Sequence, residues 1–259
     1  MTALILPPGA GADTAERSSP VPWHGMLWVT WRQQRATLVS VPVVLAAAAV
    51  LLVIAGVRVR ADYGNLILRG DFNNGDWAFA QAMDFLMQVA PVLIGIFAGA
   101  PVLARELESG TFRYAWTQGL RRERWVIAKL ALLGAFSAVL AGVFGEVFAW
   151  FFQPFISAGD TSVTNGLVFD TRPVVFGAWA LAAFMIAACS GMLLRRTLPA
   201  MAVTLGVYLG LSLLTGSFLR GHYPVSGFWP AQSFECAWLV VLSAALIVVT
   251  ARLARRRAA

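Results

Sequence analysis

Six long apolar runs constrain this chain more than any other feature of its sequence. A membrane-spanning helix needs about 20 mostly apolar residues, and the hydrophobic fraction of 59% with only 13% charged residues is far from the roughly 25% charged residues of soluble domains. Because the runs are continuous and do not alternate with a period of two, they favour helices over a β-barrel. The sequence therefore predicts an all-α integral membrane protein with six transmembrane helices, at about 37–57, 83–103, 130–152, 174–194, 198–219 and 237–253.

The basic residues are unevenly divided between the segments that connect these runs. Three precede the first run, six lie within 104–129, two are Arg195 and Arg196, and four lie at the C-terminal end, in residues 252–257; the other connections hold the remaining five. Lys and Arg concentrate on the cytosolic side of membrane proteins, so both termini are predicted to be cytosolic. The net charge of +7 then reflects topology and contact with membrane lipid, and no nucleic-acid partner is expected. The Arg-rich, Ala-rich composition favours a bacterial plasma membrane.

The residues before the first run have two different characters. Residues 1–20 are rich in prolines and lack the basic and apolar segments of a signal peptide, which predicts a disordered cytosolic tail. Residues 21–259 then form a single six-helix membrane domain. Trp23 and Trp31 recur at helical spacing and Trp28 flanks them, which indicates an amphipathic helix in the membrane surface with these tryptophans as interfacial anchors. The alternative is the tryptophan belt of the first spanning helix.

The segment 104–129, "ARELESGTFRYAWTQGLRRERWVIAK", is polar in an otherwise apolar chain, and it holds nine of the 33 charged residues. Phe112, Ala115 and Trp116 share one helical face, and Gly119 suits a helix end, so a short helix along the membrane surface is predicted. Trp125 and Lys129, four residues apart, are expected to anchor the third spanning helix at the interface.

Glu106 and Glu108 follow the second apolar run, at the C-terminal end of a predicted helix. Carboxylates there oppose the helix dipole, so another interaction must hold them in place. One alternative is local pairing with Arg105, Arg113 or the arginines at 121–124. The other is contact with basic residues of a partner protein.

This segment resembles the first cytosolic loop of permease subunits in the ABC-2 exporter superfamily, and it is most similar to an actinobacterial branch. The stretches "WVTWRQQR" (28–35), "LLRRTLPAMA" (193–202) and "FLRGHYPV" (218–225) are similar as well, although the segment between the last two spans is shorter than is common in that branch. The matching residues of the central motif are Ala104, Arg105, Glu106, Glu108, Gly110, Thr111, Trp116, Thr117, Gln118, Arg122, Arg124, Trp125 and Lys129.

The resemblance implies an ABC-2 (type V exporter-like) transmembrane domain and a defined set of partners. The chain would be the permease subunit of an ATP-driven exporter, with two copies of a separate ATP-binding subunit and a second permease copy or a related permease. It would bind no cofactor itself, and ATP and Mg are expected in the partner. It would not be an enzyme, since no phosphate-binding loop is found in the sequence. The coupling residues carried over are Glu106, Glu108, Gly110, Thr111, Arg113, Trp116, Thr117, Gln118 and Arg124.

Glu146 is the acid that falls well inside a predicted span. Intramembrane charge is costly and usually faces a cavity or a partner, so Glu146 with Phe148 and Phe152 forms a possible substrate pathway; the alternative is a carboxyl that reaches the membrane surface. The positions of Asp84 and Glu235, near predicted helix N-termini, are accounted for by the helix dipole, which favours a negative charge there. No metal site is expected.

Two other functional classes remain open from the residues alone. A membrane-embedded enzyme acting on lipid or peptide needs several catalytic groups at one membrane depth, and Glu146 alone does not supply them. A membrane sensor without transport activity does not require the carboxylate-rich segment 104–129.

Overall fold

The computed structural model describes residues 39–61, 74–109, 122–157 and 166–256. Across these ranges the chain is helical and has no β-strand, which confirms the predicted fold class. The predicted tail 1–20, the amphipathic helix around Trp23, Trp28 and Trp31, and the short helix within 110–121 lie outside the described residues. Six helices are long and apolar enough to cross a membrane: span one, Val39–Ala61; span two, Gly75–Glu108; span three, Glu123–Ser157; span four, Pro173–Leu194; span five, Thr197–His222; and span six, Phe228–Arg256.

Several helices extend well beyond the apolar runs that predict them. The helix that forms span three has 36 residues, which corresponds to about 54 Å, whereas the hydrocarbon layer is about 30 Å thick. Its ends therefore reach past the hydrocarbon layer. Span two is formed by the helix Asn74–Ile94, a π-helical turn Gly95–Gly99 and the helix Ala100–Ser109. Span five is formed by the helix Thr197–Leu214, a π-helical turn Thr215–Leu219 and a 3-10 turn Arg220–His222. A short helix, Gly166–Asp170, precedes span four.

Successive spans run in opposite directions, so each end of the bundle contains the first residues of some spans and the last residues of others. We call the end that holds Ser109, Arg122, the turn at 195–196 and Arg256 the loop end, because the connection 110–121 begins and ends there. The opposite end, which holds Ser157, Asp170, His222 and Phe228, is the far end.

Span four occupies the centre of the bundle. In the apolar 18-residue stretch of this span, its apolar window, 89% of the residues are buried, compared with 11% in that of span one and 17% in that of span five. Its sequence, "PVVFGAWALAAFMIAACSGMLL", is rich in Ala and Gly, which let neighbouring helices approach closely where lipid offers no hydrophobic drive for association. Span four therefore serves as the axis against which spans two, three, five and six pack.

The glycines of span two lie against the backbone of span four. A Cβ at Gly95 would lie 2.8 Å from the Ala183 carbonyl oxygen, and one at Gly99 would lie 2.7 Å from that of Phe184. Both distances are shorter than real Cβ contacts, so only glycine permits this approach. The same two residues bound the π-helical turn between Pro91 and Pro101, and prolines are a known cause of such irregular turns.

A cluster of phenylalanines fills the interior between spans one, two, three and four toward the far end. The rings of Phe148 and Phe152 stack with centroids 5.4 Å apart, and the Phe151 ring meets that of Phe79 edge-on at 5.8 Å. On span one, the guanidinium of Arg60 lies 3.8 Å from the centre of the Trp150 ring. These contacts attach the otherwise exposed span one to span three.

Candidate functional site

At the loop end, an ion pair joins spans two and three just before the connection 110–121. The Lys129 ammonium donates to the Glu106 carboxylate and, at 3.3 Å, to the carbonyl oxygen of Val102. The Lys129 side chain is only 1% exposed and that of Glu106 is 19% exposed. A buried ammonium is tolerated only when its charge is compensated, so this pair fixes the ends of the two helices together.

Glu108 joins the same end of span two to the beginning of span five. Its Oε1 accepts the backbone N–H of Thr197 at 2.9 Å, and its Oε2 accepts the Thr197 hydroxyl at 2.7 Å. Thr197 is the first residue of its helix, where unpaired N–H groups and the positive end of the helix dipole favour an anion. Glu108 thus caps span five from another helix.

The remaining predicted coupling residues divide into two groups. Arg124 is described, and its side chain is exposed at the loop end, where an exposed ion pair also joins Glu123 to Arg255 at 3.5 Å. The others lie outside the described residues: Gly110, Thr111, Arg113, Trp116, Thr117 and Gln118.

The two predicted anchors of span three differ in their placement. The Trp125 ring is half-buried, and the Lys129 ammonium lies 4.9 Å from its centre. Lys129 itself does not extend toward the surface of the bundle, as an anchor would, but turns inward. The Glu106 carboxylate within reach explains this orientation, because the pair compensates both charges. The local pairing of Glu106 therefore involves Lys129, a partner that the charge pattern of the sequence did not suggest.

At the far end, a second and larger ionic cluster joins spans five and six to the short helix Gly166–Asp170. Arg220 donates from Nε and Nη2 to the Glu235 carboxylate at 2.9 and 2.8 Å, and it also forms an ion pair with Asp170. Glu235 is completely buried. We call Asp170, Arg220 and Glu235 the far-end cluster.

Neutral donors complete the coordination of Glu235. The Trp179 indole N–H of span four donates at 2.9 Å and the Tyr223 hydroxyl donates at 2.9 Å. The Trp238 indole N–H in turn donates to the Tyr223 oxygen at 3.2 Å. A fully buried carboxylate costs little only when its oxygens are satisfied, and here span four, span five and the connection that follows it contribute the donors.

Burial shifts the pKa values of several groups at the far end. Burial raises the pKa of Asp170, and the neighbouring Arg220 guanidinium opposes that shift. Burial likewise raises the pKa of Tyr223 and lowers the pKa of Arg172. Each shift penalises the charged form, which is the signature of desolvation. The charges of the far end are therefore maintained by one another.

Among the described residues, three buried side-chain atoms have no hydrogen-bond partner: Asp84 Oδ1, Arg172 Nε and Gln232 Oε1. The Gln232 amide is nevertheless held in place, because its Nε2 donates to the Phe169 carbonyl oxygen at 2.8 Å. Asp84, on span two, is buried and lies within electrostatic range of Asp170. Its carboxyl is thus buried inside the bundle and is not simply a surface charge at a helix N-terminus.

The structure does not bring together the three residues of the predicted pathway. Glu146 is exposed on span three, whereas Phe148 and Phe152 are 1% and 5% exposed within the phenylalanine cluster. Side chains two residues apart on a helix point about 200° apart, which separates Glu146 from Phe148. The two rings pack in the phenylalanine cluster, whereas Glu146 lies on an exposed side of span three.

The far-end cluster was missed in the sequence because span six begins earlier than its apolar run. The helix begins at Phe228 and not at 237, so Glu235 lies two turns inside it. Gly227 has a φ of +99°, a value that favours glycine, and Pro230 lies in the first turn, where proline is tolerated. These two residues are the sequence signal for the earlier start.

Comparisons with known proteins agree with this architecture. The family model described as ABC-2 membrane transporter related matches residues 42–220, which include spans one to four and most of span five. Neither curated proteins nor solved structures give a match to the chain. With the six-helix bundle, the family match shows that the chain belongs to the ABC-2 membrane transporter related family and is a multi-pass transporter permease.

Proposed function

We propose that this chain is the membrane-spanning subunit of an ATP-driven exporter in a bacterial plasma membrane, coupled through the segment 104–129 to two copies of a separate ATP-binding subunit. The loop end then faces the cytosol together with both termini. ATP and Mg bind in the partner. The observation that carries the proposal is a pair of contacts at the loop end of this ABC-2 family member. Glu106 joins span two to span three, and Glu108 joins span two to span five.

The contacts of Glu106 and Glu108 change the role proposed for them. Both carboxylates already bind groups within the chain. We therefore propose that the connection between spans two and three makes the direct contact with the ATP-binding subunit. We assign docking to Gly110, Thr111, Arg113, Trp116, Thr117 and Gln118, with Arg124 at the exposed edge. Glu106 and Glu108 then pass a movement of this loop to the spans.

We further propose that a second permease copy, or a related permease, covers the open face of span five. Among the described residues, a Cβ at Gly206 or Gly210 would meet no atom within 4 Å, in contrast to the packed glycines of span two. A row of small residues without a neighbour allows close approach of another helix. Closure of the ATP-binding subunits would draw the two loop ends together and open the far ends, which is alternating access.

Copurification with an ATP-binding subunit tests the coupling role. The double variant Arg113→Glu with Trp116→Ala is compared with wild type and with Arg58→Glu, which reverses an exposed charge on span one near the far end. We expect the loop variant to lose the ATP-binding subunit and its ATPase activity in lipid, while Arg58→Glu retains both. Retention of both by the loop variant would refute docking at this segment.

Disulfide cross-linking tests the dimer face separately. In a chain whose two native cysteines, Cys189 and Cys236, are replaced by Ala, Gly210→Cys is compared with Val139→Cys, an exposed position on span three. We expect a cross-linked dimer for Gly210→Cys alone. Equal cross-linking at both positions would indicate random collision, and cross-linking only at Val139→Cys would place the second copy elsewhere.

A further inference from the structure

We infer that span five is a relay that carries movement of the loop end to the far-end cluster, because it is fastened by polar contacts at its two ends and buried along only one face between them. The direction of the relay, from the loop end outward, rests on the proposed coupling function. The linkage between the two ends does not depend on any partner subunit, because all the contacts that make it lie within this chain.

The fastening at the loop end is made by Glu108. The carboxylate is in the last turn of span two and accepts both hydrogen bonds that Thr197 can donate, at 2.9 and 2.7 Å. Hydrogen bonds to a charged group are shorter and stronger than those between neutral groups, and two such bonds to one residue also fix its position. A displacement of Glu108 with the adjoining connection therefore pulls on the first residue of span five.

The fastening at the other end is made by Arg220, in the 3-10 turn that completes span five. Its guanidinium bridges Glu235 on span six and Asp170 on the short helix before span four. The Arg220 side chain also lies over the Phe169 ring, 4.5 Å from its centre. A shift of span five along its axis thus changes its contacts with span six and with the short helix at the same time.

Between these ends span five packs against spans two and four along one face, and the rest of its surface is exposed. Only 17% of its apolar window is buried, and the helix from Thr197 to Leu214 buries just three residues: Ala200, Thr204 and Tyr208. A helix keeps its length because its hydrogen bonds run along its axis, and a helix that is enclosed on one face only has more room to tilt than one that is enclosed on all sides. Span four, with 89% of its window buried, lacks that freedom.

The neighbouring carboxylate provides a matched comparison. Glu106 is two residues from Glu108 on the same helix, but its ion pair is with Lys129 of span three. Loss of either contact perturbs the loop end. If span five is the relay, only loss of the Glu108 contact should be felt at the far end.

Hydrogen–deuterium exchange of the full chain in lipid nanodiscs tests this inference without any partner subunit. Exchange of the backbone amides of residues 220–227 is measured in wild type, Glu108→Gln and Glu106→Gln. We expect Glu108→Gln to raise exchange at this far-end segment by about fivefold or more, the lower range of typical coupling between sites, and Glu106→Gln to leave it near the wild-type rate. Thr197→Val, which removes one of the two donors, is a milder variant in case Glu108→Gln does not fold.

Coupling between two sites is reciprocal, so the converse experiment is also decisive. Arg220→Lys should raise exchange of the amides at 197–201, at the start of span five. The inference is overturned if the effects of Glu108→Gln and Thr197→Val stay within the loop end, or if Glu106→Gln has the same effect at the far end. Failure of the chain to retain an ATP-binding subunit would instead refute the proposed function, while the exchange results would still decide whether the two ends are linked.

Discussion

The carboxylate of Glu108 at the end of span two caps the helix of span five through both donors of Thr197, at 2.9 and 2.7 Å. This contact explains a feature that is unfavourable in isolation, namely a carboxylate at the C-terminal end of a helix. The penalty in one helix is offset by stabilisation at the N-terminus of another. Two spans separated by two other spans in the sequence are thereby joined at a single point.

We expect Glu108→Ala to lower the melting temperature of the protein in nanodiscs and Thr197→Val to lower it less, because the Thr197 N–H keeps its acceptor in the second variant. Since both changes remove the same interaction, the loss in the double variant should be smaller than the sum of the single losses. Thermal unfolding followed by intrinsic fluorescence measures this. Additive losses would show that the two side chains act independently.

Removal of the Lys129 ammonium should be more damaging. In Lys129→Met the partly buried Glu106 carboxylate loses its Lys129 partner; the loss of one partner of a fully buried pair costs about 3–5 kcal/mol, which is the upper limit expected here. The double variant Lys129→Met with Glu106→Gln carries no such charge and should recover most of the loss. Melting temperatures of the single and double variants test this expectation, and equal destabilisation of both would contradict it.

The two pairs of glycines should respond in opposite ways to the same substitution. Gly99→Ala places a methyl group 2.7 Å from the Phe184 carbonyl oxygen, and such overpacking costs about 1–3 kcal/mol. Gly210→Ala meets no atom within 4 Å and should leave the stability of a single copy unchanged or raise it by about 0.5–1 kcal/mol. Unfolding of both variants in monodisperse detergent, where permease copies are separated, makes the comparison.

Two buried acids should also behave oppositely. Glu235 accepts hydrogen bonds from Trp179, Arg220 and Tyr223, so Glu235→Gln disrupts a satisfied network and should destabilise the protein by about 3–5 kcal/mol. Asp84 has an oxygen without a partner among the described residues, so Asp84→Asn should be neutral or stabilising. Comparison of the two melting temperatures with wild type tests both. A large loss in Asp84→Asn would show that this carboxyl has a partner outside the described residues.

The fold could be predicted from the sequence because run length and continuity determine it. Six apolar runs of about 20 residues leave few alternatives in a bilayer, and all six helices are present. Their ends were less predictable. The helix of span six begins nine residues before the apolar run, at Phe228, because polar residues can continue a helix once hydrogen bonding within the backbone is established.

The contacts at the two ends of the bundle could not be predicted in the same way. Glu106 and Lys129 are 23 residues apart, and Arg220 and Asp170 are 50 apart, so neither pair lies at a helical spacing that marks neighbours. Charge pattern showed that Glu106 and Glu108 need partners but not which ones. Only the packing of span two against spans three and five identifies Lys129 and Thr197.

The burial of Lys129 has a practical consequence, because it is the single lysine of the chain. In the folded protein its amine is shielded by Glu106, Val102 and the Trp125 ring, so an amine-reactive reagent should modify only the amino terminus. Lysyl endopeptidase has a single possible cleavage site, which becomes accessible when spans two and three separate. The chain thus contains a natural chemical reporter of the integrity of its loop end.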